Sequence, residues 1–108
     1  MNKKLSVSKS SRLRRIESAL AGCLPCLSSI EGVKATEQVS ASICKVKGIE
    51  VLVSYLTPVS FRHLDGSCVA VKRGFYSRTT TRSQDAFSRS YVYLGEADFR
   101  EALTKAMQ

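Results

Sequence analysis

The densest run of chemistry-bearing side chains is Tyr76-Ser77-Arg78-Thr79-Thr80-Thr81-Arg82, with Arg73 before it and Arg89 after it. Hydroxyls, guanidinium groups and the free N–H groups of a helix start are the parts that hold a phosphate. Tyr76, Phe75 and Tyr55 add aromatic faces on which bases would stack. Contacts of this kind position a nucleic acid and do not read its sequence. The same residues also suit a plain N-cap with a solvated basic rim. No P-loop spacing, G-x-G-x-x-G or RNA-recognition sheet motif accompanies them.

A second basic group lies near the N-terminus. Lys3, Lys4, Lys9, Arg12, Arg14 and Arg15 all precede the first acid, Glu17. They form either a phosphate-gripping arm or a solvated helix face behind a soluble tail. With 17 basic and 9 acidic residues the net charge is +8, which favours polyanionic partners: nucleic acid or an acidic protein surface. Oligomeric state is not encoded in these patterns.

The cysteines raise metal and redox chemistry. Cys23-Leu24-Pro25-Cys26 is a C-x-P-C, but it follows a helix pattern, where the dipole does not favour a thiolate. Zinc would take Cys23, Cys26, Cys44 and either His63 or Cys68. A closed zinc site usually draws its ligands in two close pairs, and the second pair here is spread out. Small core cysteines are the simpler reading, so no metal or other cofactor is expected. His63 is the only histidine, and no nucleophile–base–acid set can be read from chain order, so a non-enzymatic role is expected.

Leu20-Ala21-Gly22-Cys23 resembles a lipoprotein cleavage site, yet Arg12, Arg14, Arg15 and Glu17 interrupt the apolar stretch that export needs. A cytoplasmic setting in a bacterial host cell is expected, without a membrane partner.

These residues must be carried by a small scaffold. The 108 residues suffice for one core, and 44% apolar content argues against general disorder. Residues 1–11 are polar and basic and read as a flexible tail, leaving 12–108 as a single domain. Leu13, Ile16, Leu20, Cys23, Leu24 and Leu27 recur at helical spacing. The helix should end near Cys23, before Pro25. Residues 28–37 read as a connection hinged at Gly32. Val39, Ala41 and Ile43 alternate with Ser40, Ser42 and Cys44, as in a strand with one wet face. Lys47-Gly48 reads as a turn, and Ile49, Val51, Val53 and Tyr55 as the next strand, stopped or kinked by Pro58.

Asp65-Gly66 predicts a two-residue hairpin joining strands 59–64 and 67–75. Phe61 then faces Ala70, and His63 faces Cys68. Thr80, Thr81 or Ser83 would cap a helix running to Tyr91, with Asp85 in its first turn. Tyr91–Leu94 reads as a short last strand and Glu96–Met107 as a closing helix. The fold class is α+β: a small antiparallel sheet of three to five strands, an N-terminal helix, and two short C-terminal helices on one face.

Tyr55-Leu56-Thr57-Pro58-Val59, a glycine-bearing hairpin, and Tyr76-Ser77-Arg78-Thr79-Thr80-Thr81 together resemble a family of small proteins encoded by bacteriophages and other mobile elements. In that family a Y-x-T-P-V segment precedes Y-S-x-T-T-[ST]. The resemblance covers roughly the second half of the chain, while the basic, cysteine-bearing first third departs from it. It implies a compact α+β unit in a phage or mobile-element setting and transfers no catalytic residue. The functional expectation is an accessory protein that binds nucleic acid through phosphate contacts. The alternative is an anti-defence inhibitor, anti-CRISPR-like, seated on a host protein complex.

Overall fold

The structure, a computed structural model, describes residues 12–21, 30–72 and 77–108. A helix, α1, covers residues 12–20. Strands β1 (Ile30–Ala35), β2 (Ala41–Val46), β3 (Ile49–Ser54), β4 (Thr57–Arg62) and β5 (Cys68–Val71) follow. Helix α2 (Arg78–Phe87), strand β6 (Val92–Leu94) and helix α3 (Glu96–Ala106) complete the chain. The result is α+β, with one sheet whose strand order equals chain order.

Five strands form an antiparallel meander, and β6 returns through α2 to pair parallel with β5. The sheet is therefore six-stranded and mixed, wider than expected and not purely antiparallel. The extra strand is β1, where a connection was expected. Its sequence, Ile30-Glu31-Gly32-Val33-Lys34-Ala35, lacks alternation because it is an edge strand with an irregular register between Ile30 and Gly32. Lys34 on such an edge guards against pairing with other chains.

The turns decide which face each side chain meets. Lys47-Gly48 is the two-residue turn expected, with positive φ at both positions, 48° and 84°. A Cβ at Gly48 would lie 2.7 Å from Leu64 Cδ2, so the site takes no side chain without movement. A second tight turn, Tyr55-Leu56, joins β3 to β4 with Tyr55 at φ 55°. No Gly, Asn or Asp marks it, so Tyr55 reads from sequence as strand.

The third hairpin differs from expectation by one residue. Its loop is Leu64-Asp65-Gly66, closed by His63 N–H to Ser67 O (2.8 Å) and Gly66 N–H to His63 O (3.0 Å), with Gly66 at φ 92°. Asp65 Oδ1 accepts from Ser67 N–H, which favours the longer loop. Phe61 accordingly faces Val69, Ala70 faces Ser60, and Cys68 faces Arg62. Phe61 and Ala70 thus lie on opposite faces of the sheet.

Both faces are covered. On one, Cys44, Val46, Val51, Val53, Phe61, Val69 and Val71 pack against Ile16, Ala19 and Leu20 of α1 and Phe99, Leu103 and Met107 beside α3. On the other, Ala41, Leu52 and Val59 pack against Phe87 of α2, with Ile43 and Tyr91 alongside. The two C-terminal helices therefore lie on opposite faces, not on one. The expected wet face of β2 is also covered: Ala41 and Ile43 meet the α2 core as expected, but Cys44 sits in the larger core, and Val39 lies outside the strand, 77% exposed. A bulge on β4 opposite Leu52–Val53 turns Val59 towards α2, and Pro58 sits within it.

Two helix expectations need adjustment. Leu13 is partly exposed, and Arg12, not Leu13, is buried at the start of α1. Ser77 caps α2, one turn earlier than expected, so Asp85 is no first-turn acid and Tyr91 lies beyond the helix. Helix α3 matches its expectation, with Glu96 and Asp98 early and Lys105 late. Helix α1 runs to Leu20, with Ala21 in a turn, while the expected tail and the C-x-P-C lie outside the described residues. Among the described residues no helix is long and apolar enough to cross a membrane.

Candidate functional site

Helix α2 is held to the sheet by polar contacts more than by grease. Ser77 Oγ accepts from the Thr80 N–H (3.3 Å). Thr80 is buried, and its hydroxyl shares a 2.9 Å hydrogen bond with Ser54 Oγ. Gln84, also buried, donates from Nε2 to Val59 O (3.0 Å) and Val71 O (3.4 Å), one of which the β4 bulge has freed. The Tyr91 hydroxyl donates to Gln84 O, and burial pushes its pKa up to about 12.

Arg62 secures the other end of the helix. It donates to Phe87 O (2.7 Å), stacks 4.5 Å over the Phe87 ring and pairs with Glu50. Burial opposes its charge, but hydrogen bonds to Glu50 and Cys68 raise its pKa above the ordinary arginine value.

The two sequence segments singled out above therefore meet: Ser54, just before the first, bonds Thr80 in the second, and Val59, which ends the first, accepts from Gln84 just past the second. Thr80 serves the fold and is not free to hold a phosphate. What α2 offers to solvent is Ser77, Arg78, Arg82, the acid Asp85 and Ala86 and, past its end, Arg89, with Thr79 half-buried. Arg78 and Arg82 are one turn apart and share a stripe. Among the described residues the ion pairs are Lys34–Glu50, Arg62–Glu50 and Lys105–Glu101, so neither arginine is in one. Arg73 and Tyr76 lie outside the described residues.

The N-terminal arginines play different parts. Arg12 is 7% exposed and donates to Ala41 O and to Ser42 Oγ (3.0 Å). Burial, with the nearby charge of Arg15, lowers its pKa. It is a structural residue, and its expected role in gripping phosphate is set aside. Arg15 donates to Val39 O (3.2 Å), and Arg14 is exposed. Helix α1 lies on the face opposite α2, yet both helices begin at the same end of the sheet. There Arg12 bonds the Ala41 carbonyl, Ala41 pairs with Ser54, and Ser54 bonds Thr80.

That end also carries exposed apolar side chains, of which the sequence had pointed to Tyr55 but not to Val39 or Leu56. Val39, Tyr55 (54% exposed) and Leu56 (59%) project there. The Tyr55 N–H donates to Ser40 O (2.7 Å), which ties the two turns together. A tyrosine with positive φ is uncommon. The hidden signal was the spacing of β3 and β4, which leaves room for a turn only at 55–56.

Along the flank of α2 runs a half-open groove of about 570 Å³. Ile43 and Leu52 form its floor, Arg82, Ser83, Ala86 and Phe87 one wall, and Ala35, Thr36, Glu37 and Gln38 the other. Thr36 Oγ1 lies 2.8 Å from Ala41 O and 2.9 Å from Gln38 O, donates its one proton to this pair and accepts from Gln38 N–H, fixing the second wall. Ser83 Oγ is buried without a hydrogen-bond partner among the described residues, an arrangement that costs about 1–3 kcal/mol.

Cys44 and Cys68 do not face each other. Cys44 points into the α1–α3 core, where burial pushes its pKa up to about 12, and Cys68, paired with Arg62, belongs to the α2 face. They do not ligate one ion together. His63 packs edge-on against Phe61, ring centres 4.9 Å apart. Among the described residues no three His, Cys, Asp or Glu side chains gather at metal-binding distance. Cys23 and Cys26 lie outside the described residues.

The architecture defines a class: a small α+β protein with a meander sheet, one parallel return strand and helices on both faces. Residues 27–99 match the model of a family of unknown function, DUF8033, and the chain belongs to that family. The match takes in every strand and α2 and stops in the first turn of α3. No curated protein and no solved structure matches the chain.

Proposed function

We propose that this is a non-enzymatic accessory protein, of phage or mobile-element type, that binds nucleic acid through its phosphates. The observation that carries the reading is the stripe formed by Arg78 and Arg82. Both are exposed, outside the ion pairs of the described residues, and mounted on a helix that Ser54, Gln84 and Arg62 hold in place. Rigid support of this kind lets a charged side chain meet a phosphate without reordering the helix. Arg89 extends the basic side, and the net charge of +8 draws polyanions to it. Tyr55 and Leu56, at the end of the sheet where α2 begins, offer surfaces on which unpaired bases stack.

The test is a titration of labelled single-stranded and duplex oligonucleotides at several salt concentrations. Each phosphate neutralised contributes a slope of about −0.7 to −0.9 in log K against log salt. A combined Arg78→Ala and Arg82→Ala variant should lose affinity for all sequences alike and shed roughly two phosphates' worth of slope. No binding at low salt, or a double variant equal to the parent, overturns the proposal.

The exposed apolar group Val39, Tyr55 and Leu56 favours a second reading, in which a host protein complex covers this end and the protein acts as an anti-defence inhibitor. Capture from host lysate that survives nuclease treatment separates that reading from the first.

A further inference from the structure

The groove beside α2 has features that a nucleic-acid contact does not require. Its floor is apolar, from Ile43 and Leu52, and its rims carry opposite charges, Arg82 on the helix and Glu37 on the facing loop. These two are absent from the ion pairs of the described residues and so are not joined across the opening. Ser83, 4% exposed, lies in the helix wall with its Oγ buried and without a partner among the described residues. Both walls are fixed from behind, one by Gln84 and Arg62 and the other by Thr36. A pre-formed cleft of several hundred Å³, mostly apolar with a few polar groups at its margins, has the character of a small-molecule site.

We infer that this groove binds a small apolar molecule bearing a carboxylate at one end and a hydrogen-bond donor at the other. The apolar body lies on the half-buried Ile43, above the buried Leu52. The carboxylate meets the Arg82 guanidinium, which is shaped for two parallel N–H···O bonds. The donor at the far end meets the Glu37 carboxylate and the Gln38 amide. A ligand of reversed polarity would place a cation against Arg82, so charge selects the orientation. The inference stands independently of the nucleic-acid reading, because it needs Arg82 but not Arg78.

The probe is 6-hydroxy-2-naphthoate, titrated by calorimetry and by backbone amide NMR against the whole protein. One-to-one binding is expected, with the signals of Ile43, Ser83 and Ala86 moving. The charge-reversed 2-naphthylmethylammonium should bind at least roughly tenfold more weakly. Arg82→Gln should lower affinity for the naphthoate roughly tenfold, and Arg78→Gln should leave it unchanged. Ala86→Trp, at an exposed helix position, should fill the groove and abolish binding. If that variant does not fold, the Arg82→Gln and Arg78→Gln pair decides alone. Equal binding of both probes, no binding, or equal losses from Arg78→Gln and Arg82→Gln would overturn the inference. Loss of oligonucleotide binding in the double arginine variant, with naphthoate binding absent from the parent, would leave the proposed function standing and this site refuted.

Discussion

Arg12 and Arg78 are the same residue type in similar basic surroundings, and the fold gives them opposite tasks. Arg12 is buried against the end of β2, while Arg78 stands in solvent one turn from Arg82. Nothing local distinguishes them, because burial depends on which strand the helix meets. Arg12→Ala should therefore destabilise the protein by about 1–2 kcal/mol, as chemical denaturation would show. It should leave the oligonucleotide affinity of the folded protein unchanged. Tyr55 is the reverse case, an aromatic residue in a backbone conformation that suits glycine, with its side chain mostly in water. Tyr55→Gly should leave the melting temperature equal or higher, since left-handed backbone costs a non-glycine residue about 1–2 kcal/mol. If Tyr55 stacks on bases, the same variant should weaken single-strand binding. A melting temperature lowered by several degrees would show that the ring supports the fold.

The elements that declared themselves in sequence did so through local chemistry. Lys47-Gly48 specified its turn, and Glu96 to Lys105 specified α3 by charge order and spacing. Strand β1 was hidden because an edge strand buries little, so its sequence has no need to alternate. The hairpin at Asp65-Gly66 was visible, but its length was set by the Ser67–Asp65 hydrogen bonds, which a two-residue template ignores. The position of α2 was the least legible feature. The helix is anchored by Gln84 reaching backbone carbonyls on β4 and beyond, a contact with no sequence period. Gln84→Ala should cost about 2–3 kcal/mol by stripping two buried carbonyls of their donor. Urea unfolding should show a lower midpoint at unchanged slope. An unchanged midpoint would mean that α2 is held by Phe87 and the Arg62 contacts alone.

For the molecule as a whole, the sheet is a wall with different chemistry on each side: an apolar core under α1 and α3, and a smaller, hydroxyl-rich one under α2. The buried Cys44 thiol and Tyr91 phenol both have pKa values raised to about 12, from 9.0 and 10.0. Folding therefore favours their protonated forms, and the stability they contribute is complete below about pH 9 and lost as pH rises towards 12. Denaturation midpoints should hold steady near neutrality and fall through this alkaline range by an amount on the order of a few kcal/mol. Cys44→Ala should remove the earlier part of the fall. The basic excess is shared between the two sides of the sheet, but only α2 presents a paired stripe on a pinned support. The central claim is that this stripe and the adjoining end of the sheet meet nucleic acid, and an amide-resolved NMR titration with a single-stranded oligonucleotide of about ten nucleotides tests it most directly. The account predicts low-salt signal shifts concentrated on Ser77, Arg78, Arg82, Tyr55 and Leu56, fading as salt is raised. Shifts confined to α3 and the β6 edge, or no shifts at low salt, would contradict it.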